Sequence, residues 1–219
     1  MKYYYKENKD FLNKEQRDYI NNTILGHHFP FYLNTAFPNT NLQQDVVALH
    51  KKGVKSKKEI KKKLKLPHGF CLDELLEHAT RALHTLHFLS HTILQRPEER
   101  GDRSYNSPHA DFFINMLENF CEKVGYKYKE IFRISVNLTF NIGLKNSVLH
   151  CDHKFSHKQL LVYLNDCDPT AYTVILDEKN KIVKKIKPEQ FKGVMFGRQP
   201  HYLRYPQHKE RVIAVYTFI

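Results

Sequence analysis

The chain has 219 residues, of which 41% are hydrophobic and 26% charged, with a formal net charge of +12. That length buries about 70% of the unfolded surface, enough for one sizeable core, and the apolar share excludes general disorder. No apolar run approaches the roughly 20 residues that span a bilayer, and Met1–Tyr5 lacks the apolar stretch of a leader peptide, so the expectation is a cytoplasmic protein with no membrane association.

In chain order, the first segment with helical spacing runs from Phe11 to about Leu25, with Ile20 and Ile24 four apart beside Tyr19, and Gly26 stops it. Residues 27–48 mix aromatics, Pro and Asn and read as extended loop or edge strand. Lys51–Lys65 then holds nine lysines and one glutamate. A solvated charged helix or loop is one reading of that run, and a phosphate-binding patch for nucleic acid is the other. Lysine outnumbers arginine 26 to 9, which weakens the second, because arginine is the better groove reader.

Leu72, Leu75, Leu76, Ala79, Leu83, Leu86 and Leu89 predict a helix over about 72–94. A polar loop follows over 96–107. Ser107-Pro108 opens a further helix, with Ser as N-cap, Phe112, Phe113, Met116, Leu117 and Phe120 as its stripe, and Gly125 as its end. From Ile131 the pattern turns to strands: 132–140, 158–165, 171–176, 181–186, 193–196 and 211–218, rich in Val, Ile, Tyr, Phe and Thr. The expectation is one α+β domain over 1–219. Residues 1–130 would give mainly helical support with the 51–65 lysine insertion, and 131–219 a sandwich or jelly-roll core. Cys71, Cys121, Cys151 and Cys167 are scattered without a Cys-x-x-Cys pair, which argues against a zinc knuckle or a disulfide framework.

The chemistry sits in Val148-Leu149-His150-Cys151-Asp152. On a strand, His150 and Asp152 point to one face and could reach one ion, while Cys151 points away. With His201 on a later strand they make the two-histidine, one-carboxylate set that suits non-heme Fe(II) and leaves positions open. His109-Ala110-Asp111 has the same spacing but starts a predicted helix, where residues two apart splay by about 200°. Arg211 lies ten residues beyond His201. A hairpin turning around Pro206-Gln207-His208 would bring the two onto neighbouring strands, with a guanidinium placed to grip a dicarboxylate.

These residues resemble the 2-oxoglutarate/Fe(II) oxygenase superfamily, in its prolyl-4-hydroxylase-like branch, over roughly residues 131–219. Leu160–Asn165, Ile186-Lys187-Pro188 with Gly193–Phe196, and Arg211–Tyr216 look like family strands. The Phe11-Leu12 helix and Phe29–Asn34 are similar to small phage-encoded members. Where members often carry a Gly-Gly-x-Thr-like stretch, this chain has Asp168–Thr173, of which Thr173 alone matches.

The resemblance implies a double-stranded β-helix with Fe(II) on His150, Asp152 and His201. It also implies 2-oxoglutarate and O2 as co-substrates, with Arg211 on the distal carboxylate. Asn137, Thr139 and Asn141, alternating along one predicted strand, and Thr173 are further candidates for the co-substrate. His153, His157 and His208, and Arg198, Tyr202, Arg204 and Tyr205, flank the site in sequence. A protein or peptide substrate, a nucleic-acid substrate, a zinc hydrolase on the same triad and a non-catalytic nucleic-acid-binding jelly roll all stay open.

Overall fold

A computed structural model describes residues 4–36, 49, 52–54, 56–63, 86–96, 105–147, 149–153 and 155–219. Helix α1 (Lys14–Tyr19) starts in a capping box: Asn13 Oδ1 accepts from Gln16 N, and Gln16 Oε1 accepts from Asn13 N. It continues as a π-helical turn over Ile20–Ile24, whose two isoleucines are fully buried. Within the lysine-rich run, α2 (Lys57–Lys63) is helical and buries Ile60 while Lys58, Lys62 and Lys63 stay exposed. Helix α3 (Ala110–Val124) buries Phe113, Met116, Leu117 and Phe120 as its stripe requires. It ends at Gly125 with φ 65°, a left-handed cap that costs glycine no Cβ strain. Its N-cap is His109 rather than Ser107; the Ser107 hydroxyl instead accepts from His109 N.

Among the described residues ten strands form two antiparallel sheets: β1 (Tyr5–Asn8), β2 (Tyr32–Ala36), β3 (Leu86–Leu94), β4 (Ile131–Thr139), β5 (Lys158–Tyr163), β6 (Thr173–Leu176), β7 (Ile182–Ile186), β8 (Gly193–Gly197), β9 (His201–Leu203) and β10 (Arg211–Phe218). The larger sheet has the order β1-β8-β5-β10-β4-β3-β2 and the smaller β7-β6-β9. This is the expected double-stranded β-helix, a jelly roll braced by helices. One core lies outside the large sheet, where Val212, Ala214, Tyr216 and Phe218 meet α1 and α3. A smaller one lies between the sheets, where Leu161, Tyr163, Val194, Phe196, Ile213 and Val215 meet Ile175 and Ile186. The even/odd split along β10 is the period-2 alternation made physical. A Cβ on Gly193 would fall 2.6 Å from the Phe120 ring, so only glycine lets α3 approach β8 this closely.

Two expectations need correction. The helix predicted over 72–94 is, over Leu86–Leu94, strand β3, paired on one side with β2 and on the other with β4; residues 72–85 lie outside those described. Leucine spacing there competes with Phe88, Thr92 and Ile93, and two flanking strands decide the contest. The edge-strand reading of 27–48 holds for Tyr32–Ala36, the last strand of the large sheet. The expected 201–218 hairpin does not form: β9 belongs to the small sheet and β10 to the large one. His201 and Arg211 therefore face the same interior from opposite sheets.

Candidate metal and co-substrate site

His150 and His201 exchange backbone hydrogen bonds of 3.0 and 2.9 Å in an isolated bridge, which sets their rings 4.5 Å apart. Asp152 was expected on the same strand face as His150, but it lies in a bend beyond the bridge. It reaches the histidines because two arginines hold it there. Arg96 Nη1 donates to the Asp152 carbonyl at 2.6 Å. Asp152 Oδ1 lies 3.4 Å from Arg96 Nη2 and 3.3 Å from Arg133 Nη1. Its Oδ2 is buried without a hydrogen-bond partner, 3.7 Å from His201 Nε2. One ligand atom from each of His150, Asp152 and His201 lies within 4.8 Å of the others, a spacing that one ion could bridge.

The protonation states suit that role. His201 Nδ1 lies 3.0 Å from the Gln199 carbonyl, which can only accept, so Nδ1 carries the proton and Nε2 keeps its lone pair. Burial, then the neighbouring His150, push the His201 imidazole down to about 4 against the pull of Asp152, so it is neutral at physiological pH. Burial alone would raise the Asp152 carboxyl. His201 and His150 when protonated, and Arg133 and Arg96 at any pH, outweigh it and hold the group well below the usual carboxylate range.

The second half of the site is Arg211, only 2% exposed, with Nε buried and unpartnered. Among the described residues no carboxylate pairs with it. Its Nη2 donates to Thr173 Oγ1 at 2.8 Å, and its guanidinium lies 5.2 Å from the Tyr163 ring centroid. The Tyr163 hydroxyl is 3.0 Å from the same Thr173 oxygen. A buried cation with a spare donor is costly unless an anion arrives.

The other expected residues separate. Asn137 lies on the inner face of β4 opposite Ile213, with Oδ1 buried and unpartnered. Thr139 lies opposite Arg211 and donates to its carbonyl at 3.3 Å. Asn141 does not continue that face: it lies past the end of β4, exposed, bonded to the Gln207 carbonyl and Gly143 N. His153 and His157 are buried in a ring cluster with Phe132 and Phe155, His153 Nε2 being 2.7 Å from Thr217 Oγ1. His208 is exposed, and its backbone N–H donates to Asp168. His109 caps α3 and Asp111 is exposed, as its helical position implied.

Sequence reasoning missed Arg96, Arg133, Gln159 and Tyr163. Gln159, 2% exposed, brings Nε2 to 3.3 Å from His201 Nε2. Counting by twos along β5 from Leu161, and along β4 from Asn137, finds Gln159, Tyr163 and Arg133. Arg96 left no such signal.

No protein-family model and no curated protein matches the chain. Among solved structures it is similar to a 2OG-Fe(II) oxygenase family oxidoreductase from Burkholderia pseudomallei, with TM-score 0.51 and 18% identity over 63% of this chain and 68% of that one. It is also similar to the viral collagen prolyl hydroxylase of Paramecium Bursaria Chlorella virus-1, with TM-score 0.48 and 13% identity over 98% and 94% of the two chains. A Pseudomonas putida prolyl-4-hydroxylase gives TM-score 0.40 and 11% identity over 93% and 97%. Among the described residues no helix is long and apolar enough to cross a membrane. The chain thus has the double-stranded β-helix fold of the 2OG-Fe(II) oxygenases and carries, in metal-binding geometry, a His-x-Asp…His set whose donors fit Fe(II).

Proposed function

We propose that the protein is an Fe(II)- and 2-oxoglutarate-dependent oxygenase that hydroxylates a protein or peptide side chain. The observation that carries this reading is the pairing, in one interior, of the His150/Asp152/His201 set with a buried Arg211 that lacks a carboxylate. A zinc hydrolase would use the same three ligands but gives Arg211 nothing to do.

Iron, 2-oxoglutarate and oxygen together supply the oxidising power, the co-substrate losing CO2 to become succinate as a C–H bond gains a hydroxyl. The chain contributes the rest. His150, the neutral His201 and the anionic Asp152 would hold the metal. Arg211 receives the distal carboxylate of 2-oxoglutarate, with Thr173 orienting the guanidinium and the Tyr163 ring shielding it from water, which strengthens the pair. Asn137 lies on the same inner face, and its Nδ2–H, not the unpaired Oδ1, is the group able to donate to the acceptor-only co-substrate. Thr139 serves Arg211 through its backbone, and Asn141 takes no part. The peptide preference rests on the resemblance of Leu160–Asn165, Gly193–Phe196 and Arg211–Tyr216 to prolyl-4-hydroxylase-like strands.

The test is anaerobic melting of metal-free protein with Mn(II), with and without 2-oxoglutarate, for wild type and Arg211→Ala. A native-state ligand at 100 times its dissociation constant adds about 2.7 kcal/mol. Stabilisation by 2-oxoglutarate only when metal is present, and its loss in the variant, is the expected result. An unchanged curve sinks the reading. Proline-containing peptides, scored by mass for one added oxygen, then address the substrate, and a gain on DNA or RNA instead would overturn the peptide assignment.

A further inference from the structure

Beyond the His150–His201 bridge the chain over Cys151–His153 is irregular, and two arginines from elsewhere bond its carbonyls. Arg96 from the end of β3 bonds the Asp152 carbonyl, and Arg198 Nε from the β8–β9 turn donates to the His153 carbonyl at 3.2 Å. Arg96 and Arg133 also converge on one oxygen of Asp152. The two carboxylate oxygens are thereby made unequal. Oδ1 has two guanidinium neighbours; Oδ2 has no hydrogen-bond partner and sits nearest His201 Nε2.

We infer that Arg96 and Arg133 are positioning residues that clamp Oδ1, so that Asp152 offers a metal one oxygen instead of two. The inference rests on the metal-binding reading above and adds a consequence to it. A carboxylate free to rotate can chelate with both oxygens and fill a position that an oxygenase needs open. A carboxylate whose Oδ1 is already bonded cannot do so without breaking two charge-assisted contacts. Two cations beside a divalent ion also repel it, so charge alone predicts that removing either arginine tightens metal binding. Positioning predicts the opposite.

The experiment measures Mn(II) affinity by electron paramagnetic resonance of the free ion, and metal-bound water by water-proton relaxation. It compares wild type, Arg133→Met, Arg133→Lys and the more exposed Arg96→Met, each checked for an intact metal-free melting transition. Loss of an outer-shell partner is expected to weaken Mn(II) binding by about 10–100-fold. The relaxation per bound ion should fall by about one-third as three open positions become two. Arg133→Lys, which keeps a donor, should recover part of both. Unchanged or tighter binding in both methionine variants, with unchanged relaxation, overturns the clamp while leaving the metal site standing. No Mn(II) binding by wild type removes both readings. Should Arg133→Met fail to fold, Arg96→Met decides alone.

Discussion

Arg211 Nη2 donates to Thr173 Oγ1 over 2.8 Å, a bond that runs from the central strand of the large sheet across the interior to the small one. Thr173 thus aims the guanidinium. Replacing it with valine removes a hydrogen bond to a charged group, commonly worth about 1.5–3 kcal/mol. The expected outcome is at least a tenfold rise in the dissociation constant for 2-oxoglutarate by calorimetry, with Mn(II) affinity unchanged.

Asp152→Asn keeps the shape of the side chain but not its charge. The prediction is complete loss of Mn(II)-dependent stabilisation in a melting assay. His201→Ala should do the same. Retention of metal stabilisation in either variant would remove that residue from the ligand set.

Asp168 gives the pH dependence. Burial works to raise its carboxyl, but the backbone N–H of Gln207, both the N–H and hydroxyl of Thr170, and the N–H of His208 lower it to about 2. A folded value below the unfolded one, about 3.9, stabilises fully above pH 4 and loses that contribution as pH falls towards 2. Asp168→Asn turns an amide N–H towards those donors. It should cost about 2 kcal/mol at pH 7 and flatten the acid limb of the stability curve between pH 4 and 2, read by urea titration.

Gly193→Ala would push a Cβ into the Phe120 ring and is expected to destabilise by about 1–3 kcal/mol. Phe120→Ala, removing a fully buried ring that meets Phe11 edge-on at 5.1 Å, should cost about 3–5 kcal/mol. The double variant should be less destabilised than the sum, because the cavity accepts the new methyl. Additivity in denaturant unfolding would show that the two positions do not share that space.

The large-sheet strands after Ile131 were legible because one face of each meets the helices and the other faces the interior between the sheets, leaving period-2 runs that few alternatives explain. His150, Asp152, His201 and Arg211 were legible as residue types whose spacing has chemical meaning. The route by which they meet was not. Asp152 arrives through guanidiniums from β3 and β4, which no local pattern encodes. His201 and Arg211 approach across sheets because the chain leaves one sheet for the other between Leu203 and Arg211, where a short hairpin looked equally good. Strand β3 was hidden by leucines at helical spacing, since its strand state is decided by neighbours distant in sequence.

Strand β1 pairs with β8 along Tyr5–Asn8, so the first residues described cap one rim of the large sheet. Strand β8 is buried along its whole length. β1 is short and turns Lys6 and Glu7 to solvent, the kind of strand that discourages a further chain from adding on. Removing it would uncover the ladder of Gly193-Val194-Met195-Phe196-Gly197, an apolar edge ready to recruit a second molecule. Shortening this protein from its N-terminus past Asn8 should therefore spoil its solubility before it spoils the metal site.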